Sequence, residues 1–203
     1  MTNFKVFIGG SPCSGKSTVC NYLASKYKAR AYHCDGQYEN HLLRAQEGSI
    51  LASIKHLEWH DLFVNKKSEI MAHKEFAANL ELGVFAIQDV DDIQKPTFAE
   101  GMPFLPSLAH GCNLNIVFLI PTREFQWASY SQRDWIHGLL ESAPNPRATF
   151  NNWMERDYLN GKRISDEASK YGYPILQVDG SLPVTDTANW VVAQFPEIFK
   201  DST

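Results

Sequence analysis

Residues 5–18 read KVFIGGSPCSGKST, and this stretch decides the fold that the rest of the chain accommodates. A short apolar run at 6–8, typical of a strand, leads into residues 10–17, which fit the pattern G-x-x-x-x-G-K-[ST]. A helical pattern begins at Thr18. A strand, a glycine-rich loop and a helix in that order are the context in which this pattern forms a phosphate-binding loop, or P-loop. The alternative is a Gly/Ser-rich turn that precedes a surface helix.

The residue types of this loop match its predicted chemistry. Glycines let successive backbone N–H groups point at one centre, and the following helix adds its positive N-terminal potential. Lys16 would reach the β- and γ-phosphates of a nucleotide, and the Ser17 hydroxyl would ligate Mg²⁺. The residues expected to contact the nucleotide are Gly10, Ser11, Pro12, Cys13, Ser14, Gly15, Lys16, Ser17 and Thr18. We expect Cys13 to be a small loop residue; the alternative is a thiol whose pKa the helix N-terminus lowers.

Length and composition indicate one globular domain over 1–203. The 203 residues are 44% hydrophobic and 21% charged, which is enough apolar material for a substantial core. A net charge of −4 argues against a surface that coats nucleic acid or binds an acidic membrane. The apolar run at 115–121 suits a buried strand rather than a membrane span. With no signal-peptide pattern and no C-x-x-C pair among four cysteines, we expect a reduced, cytoplasmic protein.

Apolar runs alternate with amphipathic segments along the chain, which predicts a doubly wound parallel sheet with its ligands at the carboxyl ends of the strands. The predicted strands lie at about 4–9, 31–34, 96–101, 113–120 and 173–180. The predicted helices of the first half lie at 16–28, over 38–81 with weak breaks near Gly48 and Asn65, and after Pro103. In the second half, one helix runs from the N-cap Thr122 to about Glu141. Another follows a break at 142–147 and runs to about Tyr171, and the last lies at 184–195. The α-rich segment between the second and third strands looks like a lobe that covers one side of a site.

Two acidic residues follow strands of the predicted sheet and should face the loop. Asp35 ends the second strand and Glu100 the third. In phosphoryl transfer, one carboxylate commonly supports Mg²⁺ and another orients or deprotonates the acceptor hydroxyl. We predict that Glu100 supports the metal through water and that Asp35 serves the acceptor. The alternative for both is a helix cap. The neighbouring Glu39 and His41 are expected on a solvated helix face; the alternative is that they line the same pocket.

Five of the seven arginines lie between the fourth and fifth predicted strands: Arg123, Arg133, Arg147, Arg156 and Arg163. Guanidinium groups bind the charged oxygens of a phosphoryl group in transfer. Two helices joined at 142–147 would form a lid that carries such groups over the loop. We predict Arg133 and Arg156 as the functional pair, with Arg163 and Arg147 weaker candidates and Arg123 a local cap. The alternative is an ordinary charged helix surface.

Two further groups of residues invite a metal interpretation that the sequence does not favour. His56 and His60 are spaced to share a helix face, but no third ligand is evident. Asp89, Asp91 and Asp92 lack the spacing of a calcium-binding loop, so we expect a solvated loop or the start of a helix.

Taken together, these features resemble the small P-loop kinases, a group that includes shikimate, gluconate and nucleoside monophosphate kinases. The resemblance rests on GGSPCSGKST, on Asp35-Gly36, on FAEG and QRDW, and on the arginine-bearing segment. It implies a five-stranded parallel sheet of order 2-3-1-4-5 in a three-layer α/β/α fold, an acceptor lobe at about 36–95 and a helical lid at about 123–171. It also implies Arg133 near the adenine or the phosphates and residues 179–181 near the adenine edge. A compact R-x-x-x-R lid signature is missing, and 38–95 matches no acceptor motif.

The sequence therefore predicts an ATP- and Mg²⁺-dependent kinase that phosphorylates a hydroxyl or phosphate of a small metabolite or nucleotide, as a monomer or homodimer. One alternative is a nucleotide-binding switch or ATPase-type regulator that acts through a protein partner, and another is an inactive nucleotide binder. The guanine-specificity motif N-K-x-D is missing, because Ser68 follows Asn65-Lys66-Lys67. The fourth strand ends in Pro121-Thr122 and lacks the carboxylate that many ATPase motors place there. Both observations favour the kinase.

Overall fold

The computed structural model describes residues 3–54 and 67–200. Five strands form one parallel sheet in the order β2-β3-β1-β4-β5, as predicted. The strands are β1 (Lys5–Gly10), β2 (Arg30–His33), β3 (Thr97–Glu100), β4 (Ile116–Pro121) and β5 (Ile175–Val178). The P-loop strand β1 is central, so its carboxyl end lies beside those of β3 and β4.

Helices cover both faces of the sheet. They are α1 (Lys16–Tyr27), α2 (Tyr38–Arg44), α3 (Ile50–Ile54), α4 (Ser68–Asp91), α5 (Pro106–Cys112), α6 (Arg123–Ser131), α7 (Asp134–Glu141), α8 (Pro146–Tyr171), α9 (Val184–Ala193) and α10 (Pro196–Phe199). A 3₁₀ turn at Asp35–Gln37 leads from β2 into α2. Within residues 3–54 and 67–200, no helix combines the length and apolarity that crossing a membrane demands.

The alternation of side chains along β1 creates the two cores of this three-layer fold. Val6 points to one face, where it packs with Leu23 of α1 and Val191 of α9. Phe7 points to the other face and shares a core with Phe76 of α4 and Ile164 of α8. Because a parallel strand between two helical layers is buried on both sides, its sequence is apolar without interruption.

The single helix predicted over 122–141 is wrong. Thr122 does cap α6, because its hydroxyl accepts a backbone hydrogen bond of 3.2 Å. The helix then ends at Ser131, and Arg133 has an extended backbone with φ −94° and ψ 112° before α7 begins. The turn places Ile136 of α7 in a buried cluster with Trp153 of α8. Burying the apolar face of α7 therefore stabilises the fold more than one uninterrupted helix would.

The helical segment predicted over 38–81 is interrupted where expected and ends later than expected. Gly48, with φ +83°, lies between α2 and α3. The predicted break near Asn65 lies outside the described residues. The following helix α4 continues to Asp91, because Ile87 and Val90 extend its buried face into the sheet core.

Only part of the predicted lid range 123–171 lies outside the main core. Ile164 and Ala168, in the C-terminal half of α8, are fully buried against the sheet. The first half of α8 packs instead with α6 and α7 in a separate small cluster. The C-terminal half of α8 therefore belongs to the main core.

Candidate active site

The loop between β1 and α1 has the backbone that its glycines predict. Gly10 has φ +127°, and a Cβ there would lie 2.0 Å from the carbonyl oxygen of Leu119 in β4. Gly15 has φ +78° and Cys13 has φ +65°. Left-handed residues within a tight loop turn successive N–H groups toward one concavity, which is the form of an anion-binding nest. The Lys16 side chain begins at the first residue of α1, directly above this concavity.

Lys16 is buried and lies back along the loop. Its Nζ donates to the carbonyl oxygen of Ser11 at 2.7 Å and to Ser14 Oγ at 3.3 Å, both of them neutral oxygens. Burial lowers the pKa of the Lys16 ammonium, while the nearby carboxylates of Glu100 and Asp35 act in the opposite direction. A buried cation whose bonds go to neutral oxygens is suited to exchange them for the oxygens of a phosphate.

Ser17 and Glu100 form the second part of the site. The Ser17 hydroxyl donates to Glu100 Oε1 at 3.0 Å. Glu100 is 3% exposed at the end of β3, and His33 Nδ1 lies 2.8 Å from the same carboxylate oxygen. The other ring nitrogen of His33 lies 3.0 Å from Asn21 Oδ1, which fixes the plane of the ring.

The donor set at this point fits Mg²⁺. Mg²⁺ prefers oxygen ligands and usually keeps several waters, so one hydroxyl and one carboxylate beside a phosphate site are sufficient protein ligands. Within the described residues there is no cluster of three or more His, Cys, Asp or Glu that could hold a metal by itself. Ser17 and Glu100 are the residues that could hold it together with a nucleotide. His56 and His60 lie outside the described residues.

A cavity of about 740 Å³ opens from the P-loop toward the α-rich lobe. All of the predicted loop residues from Pro12 to Thr18 line it, as do Asp35, Glu100, Arg133 and Arg156. Gly10 and Ser11 are not among the residues that line it. The structure thus brings the four predicted catalytic residues and both predicted metal ligands to one cavity. Asp35 reaches it from the 3₁₀ turn after β2, since β2 itself ends at His33.

One face of α4 forms the wall opposite the P-loop. The lining residues on this helix recur at helical spacing: Met71, Lys74, Glu75, Ala78, Asn79 and Leu82. Their neighbours in the wall include Tyr38 and His41 of α2 and Met102 and Pro103 after β3. Sequence reasoning identified the helix but not which face meets the cavity. The signal was present only in Met71, Ala78 and Leu82, which recur on one helix face, because the lining residues between them are polar.

Arg156 lies in the cavity wall within a buried network of charges. Its Nε lies 3.1 Å from Glu75 Oε2, and its guanidinium donates to Asp157 Oδ1 at 2.5 and 2.7 Å. Asn160 also donates to Glu75, at 2.6 Å, and the Tyr130 hydroxyl donates to Asp157 at 2.8 Å. Burial raises the pKa of the Glu75 carboxyl to about 7, against the lowering effect of Arg156.

Arg133 reaches the cavity from the turn between α6 and α7. Its guanidinium lies over the Tyr130 ring, 4.9 Å from the centroid, and it is only partly buried.

The other three arginines between β4 and β5 do not line the cavity. Arg123 pairs with Glu155, and Arg163 pairs with Glu167 at 3.2 Å and covers the Phe76 ring. Arg147 is exposed near the start of α8.

Two predictions of solvated side chains are wrong. His41 is 1% exposed, and its Nε2 lies 2.7 Å from Asp89 Oδ2. Asp89 also accepts from the Tyr32 hydroxyl at 3.0 Å and from Arg44 at 2.5 Å. These hydrogen bonds outweigh the partial burial of Asp89 and keep its pKa below the ordinary value. The network joins α2 to the C-terminal end of α4 and so fixes two walls of the cavity. Glu39, Asp91 and Asp92 are exposed, as expected.

Two remaining expectations concern the Cys13 thiol and residues 179–181. Burial raises the pKa of the Cys13 thiol to about 11, so the alternative of an acidic thiol in the loop is not supported. Residues 179–181 form a closed turn in which Asp179 Oδ1 accepts from the backbone and hydroxyl of Ser181, at 2.9 and 2.6 Å. This turn lies after β5 and outside the lining of the cavity.

Comparison with solved structures identifies the architecture. Shikimate kinase from Acinetobacter baumannii, solved in complex with shikimate, is similar with a TM-score of 0.53 at 15% identity, over 99% of this chain and 96% of that chain. The chain has the fold of a P-loop kinase. A Thermus thermophilus protein is similar with a TM-score of 0.50 at 16% identity, over 95% of this chain and 97% of that one. No protein-family model and no curated protein sequence matches the chain. The predicted resemblance is therefore confirmed for the fold.

Proposed function

We propose that the protein is an ATP- and Mg²⁺-dependent phosphotransferase that transfers the γ-phosphate to a small-molecule acceptor. One observation carries the proposal. A single cavity contains the P-loop Lys16, the Ser17–Glu100 pair and, across from them, Asp35 in front of a lobe with its own lining. A nucleotide alone needs only the first half of such a cavity. The second half provides room for an acceptor beside the γ-phosphate.

On the donor side, the loop N–H groups and Lys16 bind the β- and γ-phosphates. Mg²⁺, held through Ser17 and water-bridged Glu100, would neutralise charge that develops on the phosphate oxygens. Arg133 lines the cavity and is partly exposed, and its guanidinium would contact the nucleotide. Arg156 lines the same cavity and is buried, and it would stabilise the transferred group.

On the acceptor side, Asp35 orients the acceptor hydroxyl and accepts its proton. The new bond forms between this oxygen and the γ-phosphorus, while the bond from the γ-phosphorus to the bridging oxygen breaks and ADP leaves. We propose that residues 36–95 form the acceptor lobe and that α6 and α7, with Arg133 between them, act as the lid of a single domain. Free cysteines agree with the proposed cytoplasmic location.

The test is an ADP-release screen over nucleosides, nucleotides, sugars and hydroxy acids, with Mg²⁺ and ATP in each reaction. We expect ADP release that depends on one class of acceptor and disappears in Lys16→Ala. Lys162→Ala is the control, because Lys162 is exposed, pairs with Asp166 and does not line the cavity. Slow ADP release that no acceptor stimulates would contradict the kinase and favour a regulator that acts through a protein partner.

A further inference from the structure

Around the proposed acceptor half of the cavity, carboxylates outnumber cations among the described residues once Asp157, which binds Arg156 from behind, is counted. Asp35 and Glu75 contribute two carboxylates to its lining, and Lys74 and Arg156 contribute two cations. Arg156, however, is shared between Glu75 at 3.1 Å and Asp157 at 2.5 Å, and Asp157 is fully buried behind it. The positive charge of this guanidinium is therefore already compensated from two sides.

The α-rich lobe has one arginine, and it does not line the cavity. Arg44 is the only arginine in the sequence from 36 to 95. Its guanidinium donates to Asp89 at 2.5 Å and to Gln88 at 2.7 Å, and it lies over the Phe85 ring at 4.5 Å. Among the described lining residues of the lobe, Lys74 is the one cation, and it is exposed.

A carboxylate or phosphate on the acceptor would meet an unfavourable environment here. Proteins commonly bind such groups through bidentate guanidinium pairs, because the loss of hydration has to be replaced by strong, charged donors. At this wall an anion would approach Asp35 and the group of Glu75, Arg156 and Asp157, in which two carboxylates face one guanidinium. Lys74 is the one further cation among the described lining residues of the lobe. The same wall offers hydrogen-bond partners in Glu75 and Asn79 between the apolar surfaces of Met71 and Leu82.

We propose, resting on the proposed function, that the acceptor is an uncharged hydroxyl compound with an apolar face, and that the site selects against acceptors that carry a carboxylate or phosphate. The neutral body of the acceptor lies on α4, where Glu75 and Asn79 hydrogen-bond its polar groups. Its reactive hydroxyl points toward Asp35, which takes the proton as the oxygen bonds to the γ-phosphorus and ADP departs.

The test uses matched acceptors that differ in charge: a nucleoside against its 5′-monophosphate, and a hexitol against the corresponding aldonate. Turnover is measured as ADP release, and binding is measured by calorimetry in the presence of ADP. We expect the neutral member of at least one pair to bind, and to be used with a kcat/KM at least ten times that of its anionic partner. Equal use, preference for the anionic member, or no binding of any neutral member would overturn the inference.

A variant of Glu75 tests whether this carboxylate causes the preference for uncharged acceptors. At pH 8 the Glu75 carboxyl, with its pKa of about 7, is ionised. At that pH, Glu75→Gln keeps the size of the side chain and removes its charge, so the ratio of neutral to anionic turnover should fall at least threefold. Glu69→Gln, on an exposed position of the same helix, should leave the ratio unchanged. An unchanged ratio in Glu75→Gln would overturn the assignment. Use of anionic acceptors would leave the proposed kinase intact, whereas failure of the kinase itself would appear as ADP release that is indifferent to Lys16→Ala.

Discussion

The hydroxyl of Ser17 donates a 3.0 Å hydrogen bond to Glu100, a residue 83 positions later in the chain. The contact follows from the sheet: β1 and β3 are neighbours in register, with Ile8 opposite Glu100. Ser17 stands on the first turn of the helix that follows β1, so both side chains emerge at the same edge. A hydroxyl and a carboxylate at that edge, beside a phosphate-binding loop, define the most specific part of the proposed site.

Glu100→Gln should raise the Mg²⁺ concentration required for half-maximal activity by roughly tenfold, a typical effect of losing a partner around a metal. The amide keeps the hydrogen bond to Ser17 but loses the charge that holds metal-bound water. The measurement is a Mg²⁺ titration of ADP formation, with Glu197→Gln on the exposed α10 as control. A titration that superimposes on the wild type would remove Glu100 from the metal site.

Lys16→Ala should lower kcat by at least ~100-fold, because a preorganised charge that stabilises the transferred phosphoryl group is lost. Stability should change little or rise, since the buried ammonium already costs free energy, as the lowered pKa of Lys16 indicates. Turnover and thermal unfolding are measured on the same preparation. Near-normal turnover would refute the P-loop assignment.

Asp35→Asn should reduce transfer to the acceptor by roughly 100-fold and leave ATP affinity within about twofold, given typical general-base effects. Asp35 lies in the 3₁₀ turn that leads into α2, and we propose that it serves the acceptor. Single-turnover transfer and equilibrium binding of ATP separate the two effects, with the exposed Asp166→Asn as control. If ATP affinity collapses instead, Asp35 belongs to the donor side.

Glu75→Gln should become more stable relative to the wild type as the pH rises from about 4.5 to 7. The pKa of Glu75 rises from its ordinary value of 4.5 to about 7 in the fold, so the folded state holds the proton more tightly than the unfolded state. Wild-type stability from this group is therefore lost as the pH increases through that window. The free energy of unfolding of Glu75→Gln, relative to that of the wild type, should increase by up to roughly 3 kcal/mol across this window, at about 1.4 kcal/mol per pKa unit.

Urea unfolding of both proteins at pH 5 and pH 8 measures this gain, because groups other than Glu75 cancel in the difference. A difference between the two proteins that does not change with pH would show that Glu75 is ionised throughout, held by Arg156.

Gly138→Ala and Gly161→Ala should have opposite effects on stability. Both glycines lie inside helices, where alanine is favoured by about 1 kcal/mol. A Cβ at Gly138 meets open space, so this variant should gain that amount. A Cβ at Gly161 would lie 2.9 Å from the buried Ser11 Oγ, and overpacking of this kind costs roughly 1–3 kcal/mol. Thermal unfolding checks the sign, and stabilisation by Gly161→Ala would show that α8 can move away from the P-loop.

What could be predicted from the sequence depended on local spacing. The loop conformation and the strand identities follow from residues 5–18 and from the alternation of strands with helices. The sheet order was implied by the resemblance to the small P-loop kinases. Asp35 and Glu100 were found because strand ends converge in a parallel sheet. The link between Glu75 and Arg156 could not be found, because it depends on how α8 crosses α4. The prediction that His41 and Asp89 are solvated was wrong. A polar helix residue can be buried when a residue distant in the sequence, here on another helix, forms a hydrogen bond with it, and local spacing does not show such a partner.

The buried face of α8 contains Arg156, Asp157, Asn160 and Gly161, and this spacing has a consequence for how the chain tolerates length changes. Each residue inserted into a helix rotates everything beyond it by about 100°. One added residue between Arg156 and Gly161 would leave the guanidinium in the cavity wall and turn a side chain onto the P-loop. The position of Arg156 in the cavity wall and the close packing of Gly161 on Ser11 therefore depend on the same helical spacing, so insertions are better tolerated in loops than within this helix.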